Sequence, residues 1–497
     1  MRRRQFFQAT AAGALSVLAA SRSASAQMMR GMPGTGMSTG SMMGRPVTSA
    51  STLPTGLPLR TLGVLPNTSA VPGEFQGSLV ASPFLASLVA GRTTELWGYN
   101  GASPGPVIEL REGQRATIAF ANRLAIDSTV HMHGLAVPAD QDGSPMDPVA
   151  PSTGRLYSFD VPMGSAGTYW YHPHAHTTTT LQVGHGLAAP LIVRSADDPL
   201  GALPERTLMI TSLALDQNGQ VAINTMSAGG MGTMMTTGAG DLLVNGQKLP
   251  VLAMTPGATE RWRILNATAD RYLRLSLDGH RFTVVGTDGG LLARPLPGLT
   301  DWLLAPAQRI EIVVTIGTRV SVRYSLRDLG NNGWVTMGAG SEIMTVQTSA
   351  AAALPPITLP ATLRPIADLG TPTARQLVVL SGGMMGLFLI NGKSFDMNRV
   401  DLETVVGRVE LWDIVNATFM DHPIHIHGTQ FQVVGRKVNG QDAAFVSAAW
   451  FDTVNVAAGE TVTIKTRQML PGKRMFHCHI LPHEDAGMMA VLNVRAA

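Results

Sequence analysis

The sequence predicts an all-β protein made of three successive β-sandwiches, and three observations predict it. Short β-branched or apolar runs are cut by turn signals along most of the chain, as in VIELREGQRATIAFANRL, RLYSFDVP, GTYWYHPH and LAAPLIVRS, the texture of strands rather than helices. The 497 residues exceed what one hydrophobic core organises, and at about 150 residues per domain they imply about three units. ERWRILNAT and VELWDIVNAT echo one another, and GQRATIAFANRL has the same shape, a Gly-led strand ending in Asn. Three echoes suggest three copies of one unit. An apolar content of 45% with 53 Gly and 31 Pro fits a packed chain of strands and turns.

In chain order, residues 1–26 read as an export signal: Arg3-Arg4, then Phe6 and Phe7, a short apolar stretch from Ala9 to Ala20, and Ala24-Ser25-Ala26 before Gln27. The paired arginines resemble a twin-arginine (Tat) address, read by the export machinery that moves proteins already folded. A periplasmic or otherwise exported location is expected. Removing the signal takes away Arg2, Arg3, Arg4 and Arg22 and no acid, leaving 33 Lys+Arg against 34 Asp+Glu. Such a balance has no basic footprint for nucleic acid, and no later apolar run is long enough to span a bilayer. Residues 27–50 hold six methionines among Gly, Ser, Thr and Pro and read as disordered. The sandwiches are expected at 51–198, 199–352 and 353–497. Asn218-Gly219 marks a hairpin turn in the second, and the Ala-Pro stretch SAAAALPPITLP links it to the third. A monomer is expected.

Ten of the thirteen histidines lie in four short clusters: His131-Met132-His133, His172-Pro173-His174, His422 with His425 and His427, and His477-Cys478-His479 with His483. A lone histidine is usually a core or surface residue, but chance would scatter so scarce a residue instead of pairing it four times as His-x-His. On a strand, residues i and i+2 share a face, so each pair aims two imidazoles the same way. Cys478, between His477 and His479, faces the other way, and the odd spacing from His425 gives His422 that same opposite parity. Parity thus sorts the ligands into two groups. Cys478, His422, His483 and the nearby thioether of Met488 form the His2Cys set with a weak axial Met of a blue copper electron-transfer centre. The eight remaining imidazoles are too many for one ion and suit a cluster of several coppers. Four come from the first sandwich and four from the third, so the cluster belongs at their interface, with the middle sandwich as scaffold. Cys478 is the only cysteine and has no intrachain disulfide partner. As a small buried hydrophobe it would be unremarked; bonded to His477 and His479, it reads as a relay between two copper sites.

In this order HxHG, HxH, HPxHxHG and HCHxxxHxxxxM resemble the four copper-binding motifs of the multicopper oxidases, over essentially the whole mature chain. The resemblance implies three cupredoxin-like Greek-key domains, four copper ions (one type 1, one type 2, two type 3), and one-electron oxidations coupled to four-electron reduction of O2 to water. It implies that His422, Cys478, His483 and Met488 are the type 1 ligands and His131 and His425 the type 2 ligands. His133, His172, His174, His427, His477 and His479 would then hold the type 3 pair. No motif ligand is missing, which counts against the copper-free cell-division relatives of this fold. Asp142, in HGLAVPADQDGSP, matches the family's acidic proton relay, and Glu484 matches a second carboxylate beside the type 1 motif. Against these readings stand an ordinary Asp-Gly turn and simple packing. His176, His185 and His280 match no ligand motif and read as structural.

The substrate is less constrained. The 26 methionines gather at 28–43, at Met226, Met231, Met234 and Met235, and at Met384 and Met385. Thioethers select Cu(I), although Met is also a flexible filler. HEDAGMM and NGKSFDMN are similar to the bacterial periplasmic cuprous oxidases of copper tolerance, and Met420, Met384 and Met385 are the expected substrate-copper residues. The long Met/His-rich insert of those enzymes is absent, and Thr418 stands where they carry Asp. Cu(I), phenols or both are the expected reductants, entering at an exposed edge of His422 or His483. A laccase acting mainly on phenols is the alternative, and a non-enzymatic copper-binding or scaffold protein a further one.

Overall fold

The computed structural model describes residues 53–223, 240–329, 331–332, 335–336, 340–383 and 387–497. The export signal, the Met-rich stretch over 27–50, the methionines Met226, Met231, Met234 and Met235, and Met384 and Met385 lie outside the described residues. Strands dominate what is described. Its two α-helices, Thr179–Gly184 and Leu481–Asp485, are each barely more than a turn.

The three echoed segments are equivalent in space as well as in sequence. Arg115–Asn122 lies between a parallel partner, Glu74–Val89, and an antiparallel one, Gly154–Asp160. Thr259–Asn266 lies in the same way between Glu205–Leu213 and Arg309–Thr315, and Val409–Asn416 between Ala374–Gly382 and Glu460–Arg467. The Asn that ends each segment shows why the echo includes it. The Asn122 amide donates to the Ile126 and Val149 carbonyls, both at 2.8 Å, and accepts from the Leu124 N–H at 3.0 Å. Asn266 and Asn416 repeat this pattern on Arg271, Leu304 and Thr268, and on Met420, Val456 and Thr418. Only an amide offers two donors and an acceptor at one point, so each buried turn after the strand requires Asn.

Among the described residues each unit is built on a pair of sheets, four and four strands in the first, six and five in the second, six and five in the third, with a further two-stranded ribbon of Asn331–Asn332 and Val335–Thr336. The inner faces of the first pair enclose one core, with Leu79, Ile118 and Phe159 meeting Leu110, Tyr169 and Val193. The cores of the second and third run into one another, from Trp262 and Ile312 through Trp412 and Ile464 to Phe476, Cys478 and Met488. The Asn218-Gly219 turn forms as expected, closing the bridge from Leu215 to Val221 with Gly219 at φ 75°.

Buried charge joins the first two units. Glu311 accepts from Thr168 Oγ1 of the first unit at 2.7 Å and from Arg261 Nε at 2.9 Å, and pairs with Arg263. Burial pushes the Glu311 carboxyl up, but Arg261 and Arg263 outweigh it and hold it at about 2. Its folded pKa thus lies below the unfolded value of about 4.3, so its stabilisation is complete above that value and is lost as pH falls towards about 2. Glu311→Gln leaves two buried arginines short of a partner, and is expected to cost about 3–5 kcal/mol at neutral pH. It should also flatten the acid limb of the stability curve. Melting of the copper-free protein as a function of pH measures both, and an unchanged acid slope in the variant would contradict the assignment.

Candidate metal centre

Strand register brings the histidine pairs together. Within the first unit His131 pairs across the ladder with His172, and His133 with Trp170. Within the third, His425 pairs with His477 and Ile424 with Cys478. The two units then meet ring on ring: His131 stacks on His427 at 3.9 Å between centroids, and His133 on His425 at 3.7 Å. All eight imidazoles are buried.

Most of these rings have an outer nitrogen held by the protein. His131 Nδ1 donates to the Asp142 carbonyl at 2.7 Å, His172 Nδ1 to the Pro173 carbonyl at 2.8 Å, and His425 Nδ1 to the Asp452 carbonyl at 2.9 Å. His133 Nε2 donates to Asp452 Oδ1 at 3.1 Å, and His427 Nδ1 to Asp142 Oδ2 at 2.7 Å. Glu484 lies 3.3 Å from His174 Nδ1 and 3.2 Å from His477 Nδ1. The inner nitrogens have nothing to bond. His131 Nε2, His133 Nδ1, His172 Nε2, His425 Nε2 and both nitrogens of His479 are buried without a partner. His174 Nε2 and His427 Nε2 each sit 3.1 Å from His477 Nε2. His427 Nδ1 and His477 Nδ1 give their ring protons to Asp142 and to the Cys478 carbonyl (3.1 Å), so their Nε2 atoms meet as bare lone pairs, which repel unless a cation lies between them; His174 Nδ1 has no hydrogen-bond acceptor. Burial drives His133, His172, His174, His427 and His479 well below their ordinary pKa, and His425 down to about 4. They are neutral, as metal ligands must be.

Cys478 turns away from this cage, as alternation requires. Its Sγ lies 3.4 Å from His422 Nδ1 and 3.7 Å from His483 Nδ1. The backbone ties Met488 to both, through Cys478 N–H to the Met488 carbonyl at 3.0 Å and Met488 N–H to the His483 carbonyl at 2.9 Å. Three residues of the Leu481–Asp485 helix face three ways: His483 to the sulfur, Glu484 to the cage, and Asp485 to the Thr180 N–H of the first unit at 2.9 Å.

One expectation changes. Neither His422 nor His483 presents an exposed edge: His422 is 0% and His483 6% accessible. The Thr418 hydroxyl accepts from His422 Nε2 at 2.9 Å, and Phe388 stacks on His483 at 3.9 Å, so apolar packing reaches further over this site than motif spacing indicates. Met420 is also buried, at 8%. His185 stacks on Trp97 and His280 accepts from the Gly317 N–H, both away from the cage, while His176 packs on Phe395. Motif spacing does not reveal Asp452, whose carboxylate under His133 is held by Arg309, or Arg474, buried beside Asp142. An acid opening the apolar run FDTVNV is the one signal for Asp452 that the sequence offers.

Neutral imidazoles closing on a common centre, with a thiolate–imidazole set one residue away, form the donor set of a copper protein. Multicopper oxidase family models match residues 85–198, 205–349 and 369–497. The chain belongs to the multicopper oxidase family and is an oxidoreductase with O2 as acceptor. A multicopper oxidase of Staphylococcus aureus is 30% identical over 81% of this chain and 85% of its own length. A laccase of Bacillus subtilis is 29% identical over 81% of this chain and 90% of its own length. The solved structure of a Campylobacter jejuni multicopper oxidase, described as a metallo-oxidase, is 34% identical with a TM-score of 0.83, over 92% of this chain and all of that one.

Because burial keeps His133, His172, His174, His425, His427 and His479 neutral and pushes the Cys478 thiol up, loading copper at neutral pH should release about one proton per chain from the Cys478 thiol and none from those six rings. Calorimetry in buffers of different ionisation enthalpy counts it. Cys478→Ser should remove that proton, and release of several protons would contradict neutral rings.

Proposed function

We propose that the chain is an exported, laccase-like copper oxidase. In this reading His422, Cys478, His483 and Met488 hold a type 1 copper, His131 and His425 a type 2 copper, and His133, His172, His174, His427, His477 and His479 a type 3 pair. The observation that carries it is the convergence of three buried rings, His174 Nε2 and His427 Nε2 each 3.1 Å from His477 Nε2, with Cys478 turned to the other side. When bound, the coppers supply one-electron acceptance at the thiolate and a four-electron store for reducing O2 to water at the cage.

The chain's own residues prepare both places. His477, Cys478 and His479 form one covalent span between the two ligand sets. Asp142 and Glu484 orient His427, His174 and His477 from outside, and Asp142 Oδ1, 3.4 Å from His131 Nδ1, is a carboxylate oxygen through which a proton can pass beside the cage. A twin-arginine address over 1–26 suits a protein that takes up metal as it folds, before export.

The reductants in this reading are Cu(I) and small phenols. The Cu(I) side is supported by the relative described as a metallo-oxidase and by the methionine clusters, and it suggests a part in copper tolerance. The phenol side is supported by Phe419 and Leu387, 40% and 58% exposed and close in sequence to Thr418 and Phe388 of the thiolate site, and by Thr418 itself, a hydroxyl where a carboxylate would favour a cation. Cys478→Ser should abolish the blue absorption and O2 uptake while circular dichroism shows the fold intact. On copper-loaded wild type, Cu(I) oxidation should outpace that of bulky phenols. The reverse order favours the phenol laccase, and turnover surviving in Cys478→Ser would sink the oxidase reading.

A further inference from the structure

Two His-x-His-Gly segments face each other across the cage, and each is backed by a carboxylate and a buried arginine. Behind His133 stand Asp452 and Arg309; behind His427 stand Asp142 and Arg474. Each segment ends in a glycine with positive φ, Gly134 at 87° and Gly428 at 67°. At each a Cβ would collide with the arginine, at 2.8 Å from Arg309 Nη2 and 2.5 Å from Arg474 Nη1.

The two sides differ in how the arginine is satisfied. Arg309 donates to Asp452 Oδ1 at 2.8 Å, to the Thr168 carbonyl at 2.8 Å and to the Asp288 carbonyl at 2.9 Å, and pairs with Asp452 Oδ2. Arg474 is equally buried, yet none of its three nitrogens has an acceptor. The nearest carboxylate, Asp142 Oδ2, is 4.0 Å from Nη1, beyond hydrogen-bond reach. Two further buried acceptors lack a hydrogen bond: Asp142 Oδ1, which lies 3.4 Å from His131 Nδ1, and Gln468 Oε1, on a side chain whose amide donates to the His427 carbonyl at 3.1 Å. A guanidinium so stranded is strongly unfavourable, and buried polar groups without protein partners are where internal water sits.

We propose that Arg474, Asp142 Oδ1 and Gln468 Oε1 enclose an internal water site behind the His427–Gly428 segment, and that through this water Arg474 positions Asp142 against His427. A water molecule matches the unmet groups: it accepts from the guanidinium and donates to two oxygens. An anion matches less well, because it would face the Asp142 carboxylate. Arg474 is therefore a positioning residue, taking the place that direct contact gives Arg309 on the opposite side. The water site depends only on the fold, whereas its effect on turnover rests on the oxidase reading above.

Crystals of the copper-loaded enzyme test the two parts separately. Wild type should show ordered non-protein density within about 3.2 Å of both the guanidinium and Asp142 Oδ1, without anomalous signal after a bromide soak, and Arg474→Met should lose it. A bromide peak there would make it an anion site and overturn the proposal, as would a dry guanidinium bonded directly to Asp142. In Arg474→Met the electron paramagnetic resonance signal of the cage copper should change and O2 uptake fall about tenfold, with the blue absorption kept. Arg474→Lys, which retains a donor, should recover part of both and serves alone if the Met variant does not fold. An unaltered cage signal in Arg474→Met, or no recovery in Arg474→Lys over it, would refute the positioning role.

Discussion

Neighbouring side chains at the end of one strand cannot share a pocket. At His477-Cys478-His479 this constraint sends two imidazoles into a cage between the first and third units and one sulfur into the core of the third. Everything else in the site follows that division. His422 and His483 gather on the sulfur's side, the other six histidines on the opposite side, and the two groups are separated by a single residue of backbone.

The cage is held open by the outer nitrogens. Imidazole rings pressed together in a dry interior would ordinarily donate to each other, and their inner nitrogens would not stay bare. Here Asp142, Asp452 and several carbonyls take ring protons from outside, so the lone pairs of those rings point inward. That arrangement is unfavourable in itself and is held by the units around it. Arg309, from the second unit, fixes Asp452 under His133. The middle unit therefore supplies no imidazole to the cage but anchors a carboxylate that orients one. Glu311, joined to Thr168 and Arg261, ties the same strand back to the first unit.

Much of this was legible in the sequence because it is local. The ligand parity rests on strand alternation, and the three units rest on an echoed strand whose final Asn meets the same three backbone groups each time. The grouping of His422 with Cys478 emerges despite Pro423, since the strand His422–Ile426 keeps its register through the proline. What the sequence did not disclose is long-range. Arg309 and Asp452 are separated by 143 residues, and no spacing rule joins them. The cover over His422 and His483 was also hidden, because Thr418 and Phe388 act through packing and a single hydroxyl rather than a motif.

Copper anomalous diffraction from crystals of the loaded protein tests this division of ligands most directly. One peak is predicted beside Cys478, His422 and His483, and a separate group of peaks inside the histidine cage, with His477 and His479 on the cage side only. A single peak shared by Cys478, His477 and His479, or no peak within the cage, would contradict it.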